Sequence, residues 1–571
     1  MNTTRESDQS ASSAWTHTSW YALAAILLFT ILSRLLALGA APLSDYEAAQ
    51  AVKFLPGAAG ISAVSSEPLY HLLTNLLVSI FPPTNTLVRF IPALVGIMLV
   101  FVPILYREYL GERTAIVMAA ILALDPALVF QSRTAGGVLF GLLFGSLAIL
   151  CLLKRKPASA GGLAGLCLIS SSSIWLLLLP VIGLAALSAV LIKKRGADGS
   201  SVLRVLTGPR FWLAFGLSIL LGSTAFFTQP AGIGAIVTTV VGFFQRFTVE
   251  GGLTLPTYGI GLLVYYLPVI LLAGWGIVRG LLDGLVETWF LLCGLIFSLI
   301  LIIFLPSRQL PDIFIANVPL DILAAKELSR HLNLDSEDKL PVLGVVALVA
   351  TVCVFGYLSI ARLTYTADLK HLWLALAGAA AILLLSAILI WMGWSQRIAR
   401  RGFFWGLLLV LTLASFATAW RVTGIDMDGS REMMGPTSSY PQLELLRQTI
   451  TDINKQNLLA DDQVNVAVAG IHSDSLTWQL RDFTALREVT SVEKDALTDY
   501  VITSPELEVS LADAYRGQEF TLAMSTDWER YSVSDWIAWI VQRKVLTSET
   551  KCVLWVRADL FPGSNVNTSN P

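Results

Sequence analysis

The sequence predicts a mainly α protein: a helical domain that crosses a membrane about 13 times, followed by a small α/β domain. Three observations predict it. Of the 571 residues, 55% are hydrophobic and only 14% charged, and the mean hydropathy of +0.68 lies outside the range of soluble globular chains. Apolar runs follow one another along the chain, each near the ~20 residues that a bilayer core demands. Beyond Arg421 the composition changes to that of a soluble domain.

Taken in order, residues 1–19 form a polar tail, assigned to the cytoplasm. Met1 to His17 carries a single Arg, and the run from Trp20 to Ala40 is longer than the apolar part of a cleavable signal, so it reads as a retained first span. A large loop, 41–85, follows. Further spans are expected near Thr86 to Tyr106, Thr114 to Phe130 and Val138 to Leu153, with two between Ala160 and Ile192. Others lie near Phe211 to Thr228, Leu255 to Val278 and Thr288 to Leu305, with a less apolar one at Ile313 to Leu328. The last three lie near Val342 to Ile360, Leu372 to Met392 and Phe404 to Trp420. The transmembrane domain is therefore 20–421 and the second domain 422–571. In the second, Leu443, Leu446, Ile450 and Ile453 have helical spacing, while Val464 to Ala469, Tyr500 to Thr503 and Val553 to Val556 read as strands.

Lysine and arginine in short loops set the orientation. Arg107 with Arg113, Lys154 to Lys156, Lys193 to Arg195, and Arg397, Arg400 and Arg401 share one side, which is then cytoplasmic. Loop 41–85 and the C-terminal domain face outward in a cell membrane. The span near Ile313 carries this parity, because without it the later loops would flip.

A net charge of -2 gives no basic field, which argues against nucleic acid as a partner. The five cysteines show no CxxC spacing, and four lie in apolar runs, which argues against a disulfide framework. Asp45, Glu47, Glu67, Arg133, Arg246, Arg308 and Asp312 all fall on or near the outer face. Acids there can activate a hydroxyl or hold a metal, and arginines can clamp a phosphate. Each residue alone is as well explained by a solvated loop charge, so the convergence is the signal. Arg34, inside the first span, either reaches a lipid phosphate or extends its charge to the interface. Asp125, before Pro126, suits a helix cap better than a site. Glu67 and His71 are four apart, too few for a specific zinc signature. Trp478 and Arg481 suit a sugar or partner contact, or a packed indole beside a solvated Arg.

Those residues resemble the GT-C superfamily of membrane glycosyltransferases, especially its protein O-mannosyltransferase and aminoarabinose transferase branch. The resemblance rests on Asp45 and Glu47 in the first outer loop, Glu67-Pro68-Leu69-Tyr70, Gln131-Ser132-Arg133, and Pro306-Ser307-Arg308 with Pro319-Leu320 and Ala324-Ala325. It covers roughly Trp20 to Leu332. It implies a donor sugar on a polyprenyl phosphate, transferred with inversion to a hydroxyl of a protein, lipid or glycan. Asp45 would be the base, Arg308 and Arg133 would hold the phosphate, and Glu47 or Glu67 would support a divalent metal. Two departures stand out: Tyr46 separates acids that relatives often have adjacent, and no acid follows Arg133 in Thr134 to Gly137. Two rival functions are a lipid-linked sugar flippase, which calls for ionisable residues at mid-membrane and paired broken helices, and a catalytically silent scaffold.

Overall fold

The computed structural model describes residues 17–55, 67–194, 206, 208–332, 339–365, 369–393, 395–425, 432–436, 438–457, 464–483, 485–489, 498–507 and 515–561. Most of the amino-terminal tail, part of loop 41–85 and Arg195 lie outside them.

The bundle opens with α1 (His17–Leu35) and two short helices of loop 41–85, α2 (Asp45–Ala51) and α3 (Pro68–Val78). Ser44 caps α2 and Glu47 closes the reciprocal capping box. Next come α4 (Asn85–Val100), α5 (Glu112–Leu124), α6 (Pro126–Ser132) and α7 (Val138–Leu153). Asp125 breaks the run between α5 and α6. Its carboxylate accepts from Leu128 N at 3.1 Å, as expected of a cap, and the two helices meet at 62°. Then follow α8 (Pro157–Leu168), α9 (Ile174–Lys194) and α10 (Pro209–Ser223). At Gly161 a Cβ would stand 2.1 Å from Phe211 O, so only glycine lets α8 and α10 approach so closely.

Among the described residues, four helices are each long and apolar enough to span a membrane: Leu255–Leu282, Val286–Ile303, Lys339–Arg362 and Gln396–Val422. The bent pair α5 and α6 makes a fifth if counted as one span. The count of about 13 rests on apolar runs whose helices are mostly shorter than this, such as Val138–Leu153 and Pro157–Leu168. After α11 (Gly234–Gln245), α12 (Leu255–Leu282) and α13 (Val286–Ile303), the less apolar segment forms α14 (Phe314–His331). It packs against α5, α12 and α13, which bury Asn317, Asp321 and Glu327. It runs from end to end of the bundle. Asp312, before it, joins the cluster that contains Glu67, while Ser329 hydrogen-bonds Thr114 at the other end. The bundle closes with α15 (Lys339–Tyr365), α16 (Leu369–Gly393) and α17 (Gln396–Val422). The basic residues of α17 lie at the Thr114 end, since Phe404 stacks on His331.

The carboxy-terminal part is a mixed sheet of order β1-β5-β6-β4-β2-β3, with β1 (Ser438–Ser439), β2 (Asn465–Ala469), β3 (Ala485–Val489), β4 (Tyr500–Thr503), β5 (Tyr515–Thr526) and β6 (Thr547–Arg557). Helix α18 (Leu443–Gln456) lays Leu443, Leu446, Ile450 and Ile453 into its core, the face that the spacing predicts. Two shorter helices, α19 (Asp474–Gln479) and α20 (Val533–Gln542), face the bundle.

Candidate functional site

Loop 41–55 is pinned first by Arg89. Arg89 of α4 donates to both Glu47 oxygens, at 2.7 and 2.8 Å, and to the carbonyls of Leu38, Ala41 and Pro42. Glu47 also accepts from Ser44 N and Oγ and from Ala135 N. Burial alone would raise its pKa, but Arg89 and these donors outweigh burial and hold it below the usual carboxylate value. With 4% exposure and Arg89 on both oxygens, Glu47 anchors the loop. Arg89 was missed in the sequence, although an arginine inside an apolar run is itself a signal of a buried partner.

Glu67 accepts from Tyr46 Oη at 2.8 Å, Ser171 Oγ at 3.1 Å and Gly137 N at 3.1 Å. Gly137 is required here, because a Cβ would lie 2.0 Å from Ser170 O. Burial raises the Glu67 pKa against those hydrogen bonds. His71 does not join Glu67. It bonds Gln50 Oε1 at 2.7 Å, and burial, helped by Lys53, lowers its pKa to about 3. Lys53, also unmarked in the sequence reading, lies within electrostatic reach of Glu67 and Asp474, and burial lowers its pKa.

A polar belt continues from Glu67. Ser171 bonds Glu67, and Ser173, two residues on, bonds Arg246, which forks onto Asp312 at 3.0 and 2.7 Å. Asp312 in turn accepts from Gln309 N, closing the turn that follows Arg308. Arg308 donates Nη1 to the carbonyls of Ile303 and Leu305 and keeps a buried Nε without a partner. Tyr258, within electrostatic reach of Arg308 and Asp312, likewise has an unpartnered hydroxyl. An idle arginine nitrogen and an idle phenol within reach of it are donors that an anion could take up.

The other arginines act on the backbone. Arg133 donates to the carbonyls of Ser33, Arg34, Leu36 and Ala37, capping the end of α1. Arg34, fully buried, donates to the carbonyls of Leu122 and Ala123 at the break before Asp125. Neither presents its fork to a phosphate. Both are clamps between α1 and the α5–α6 break.

Asp45 is half-buried where loop and sheet domain meet. Its carboxylate accepts from Tyr440 Oη at 2.5 Å, Ser473 Oγ at 2.8 Å and Ser475 N at 3.0 Å. The phenol of Tyr440 is pushed up by burial and by Asp45, so it stays a donor. Trp478 is packed and donates to Asn85 Oδ1, with Arg481 stacked on its ring at 4.4 Å, which fits the packed-indole reading. The sheet domain holds the bundle again at Glu529, which accepts from Thr254 and Thr257, and at Glu432, which pairs with Arg543 and accepts from Tyr265.

Among the described residues no three His, Cys, Asp or Glu side chains come together as ligands, and the oxygens of Glu47 and Glu67 already accept the hydrogen bonds above.

No protein-family profile and no curated sequence matches this chain. Its fold is similar to that of ArnT from Cupriavidus metallidurans bound to undecaprenyl phosphate, with a TM-score of 0.52 at 15% identity, over 95% of this chain and 99% of that one. Weaker likenesses are the same protein in its apo state (TM-score 0.44, 15% identity, 95% and 99%) and an Archaeoglobus fulgidus oligosaccharyltransferase tethered with an acceptor peptide (TM-score 0.41, 13% identity, 86% and 69%). At 15% identity the likeness to ArnT is one of fold, and it agrees with the architecture that the sequence resemblance implied.

Proposed function

We propose that this protein moves a sugar from a polyprenyl-phosphate donor to an acceptor hydroxyl at the Asp45 end of the bundle, and that this end faces outward. The basic residues gathered at the opposite end support that orientation by the positive-inside rule. The single observation that carries the reading is one polar end holding both a half-buried acid fixed by three donors and an arginine with an idle nitrogen.

In this reading the Asp45 carboxylate takes the proton of the acceptor hydroxyl as its oxygen bonds to the anomeric carbon. The bond from that carbon to the lipid phosphate oxygen breaks on the opposite face, so the anomeric centre inverts. The phosphate leaves with the electron pair, and Arg308 and Tyr258 receive it. Tyr440, Ser473 and Ser475 aim the base, so the sheet domain is part of the site. The undecaprenyl phosphate in the ArnT structure is in keeping with a lipid-phosphate donor. Which sugar and which acceptor it uses are questions for the assay.

The test is transfer of a labelled sugar from a panel of polyprenyl-phosphate donors by purified protein. Asp45→Asn is expected to lower transfer by about 10²–10⁴-fold, the usual contribution of a general base. Undiminished transfer would remove Asp45 from the mechanism, and no transfer by wild type with any donor would sink the reading.

A specific observation favours the flippase as second reading. Asp125, Asp321 and Arg34 are buried within the bundle, and one helix is broken at Asp125, whereas the sequence reading had weighed the flippase mainly against charges clustered at the outer face. Movement of a labelled lipid-linked sugar across vesicle membranes separates the two.

A further inference from the structure

Asp125 has a second role beyond its cap. Its Oδ1 accepts from Tyr266 Oη of α12 at 2.8 Å, and its Oδ2 accepts from Asn317 Nδ2 of α14 at 2.5 Å. Because Asn317 turns its nitrogen to Asp125, its Oδ1 is left over, and this oxygen has no partner. One turn further along α14, roughly 10 Å from the start of the helix at ~1.5 Å per residue, stands Asp321. Its exposure is 0% and neither carboxylate oxygen has a hydrogen-bond partner. It lies within electrostatic reach of Asp125 and Tyr266.

Three acceptor oxygens are thus buried without a donor on one face of α14, the Asn317 amide and both oxygens of Asp321. The charges around them do not cancel. Asp125 and Asp321 each bring one negative charge when ionised, and Arg34 of α1, which lies within reach of Asp125, brings one positive charge. From α13 the contribution is the neutral Ser298, which bonds the carbonyls of Gly294 and Ile315. Lower on α14, Glu327 is already met by Arg279, Arg330 and His331. One uncompensated negative charge in a low-dielectric interior is untenable at several kcal/mol per ion.

We propose that Asp321, with Asn317 and Asp125, forms a site for one positive charge inside the bundle, carried by a proton or an alkali-metal ion. The ligand set is all oxygen, which excludes the soft metals, and a divalent ion would overshoot the charge by one. A water molecule would fill the hydrogen bonds and leave the charge unbalanced. The site is separate from Asp45 and Arg308 and does not depend on the transfer reading.

The test is the unfolding midpoint of the purified full chain in detergent, in sodium or choline chloride at equal ionic strength, between pH 6 and 9. An alkali-metal site gives a wild-type midpoint that rises saturably with sodium, by about 2 °C or more, and a flat response in Asp321→Asn. A proton site gives no sodium effect, but a wild-type midpoint that falls as pH rises more steeply than that of Asp321→Asn. Glu67, whose pKa is raised, contributes equally to both proteins, so the difference between them is the readout. Asn317→Leu, which keeps the acid, should raise the sodium needed for half effect, or shift the pH response, should Asp321→Asn not fold. A wild type indifferent to sodium and to pH, or variants that respond as wild type does, would overturn the site.

Discussion

Glu47 and Asp321 are both carboxylates removed from solvent, in regions the chain treats in opposite ways. Glu47, at the Asp45 end, accepts from Arg89, Ser44 and Ala135. Asp321, within the bundle, has no donor on either oxygen. The difference teaches that burial does not mark function by itself. A buried acid with every lone pair met holds the fold together, and one with none met asks for something the chain does not supply. By that criterion the acid beside Asp45 is scaffolding, and the functional question moves to Asp45, to Arg308 with Tyr258, and to Asp321.

The comparison breaks first at Arg89. Arg89→Ala strands Glu47 and is expected to cost about 3–5 kcal/mol, read as a lowered unfolding midpoint. Arg89→Met with Glu47→Leu should recover much of that loss, because an apolar pair leaves no stranded charge. Gly137→Ala drives a Cβ into the Ser170 carbonyl, next to the Ser171 that bonds Glu67, and should cost about 1–3 kcal/mol, with lower expression as the first sign. Asp321→Asn sharpens the contrast, since it removes a charge that nothing meets. In sodium-free buffer at pH 9 it is expected to change stability by about 1 kcal/mol or less, or to stabilise. Loss on the scale of Arg89→Ala would mean that Asp321 is paired after all.

A pH dependence at His71 sharpens the comparison from the side of a buried base. Its folded pKa of about 3 lies below the ordinary 6.5, so the unfolded chain takes up a proton first. Stability from this group is full above pH 6.5 and drains away as pH falls toward 3. Acid titration of wild type against His71→Asn should show two midpoint curves that converge through that window. Curves that stay parallel would show that His71 is not held neutral.

Much of the architecture was legible because it follows from local pattern. The face of α18 was readable from four apolar positions, and β4 from its run of β-branched and aromatic residues. Strand β5 was not, because Gly517, Gln518 and Glu519 interrupt any alternation and its order comes from pairing with β6. The clustering of Asp45, Glu67, Arg246, Arg308 and Asp312 at one end of the bundle was also legible, from loop parity. Which of them are spoken for was not, since Glu47 meets an arginine 42 residues away and Glu67 a serine 104 away. Asp321 sat inside a span recognised only as less apolar, and its isolation becomes visible once three helices close around it.

The contacts of Asp45 have a consequence for timing. Its three partners come from Tyr440, Ser473 and Ser475, 395 to 430 residues later in the chain. A ribosome finishes the acid early and its holders last. A half-made chain therefore carries the acid without its partners, which reach it only when the final domain has folded back onto the first loop.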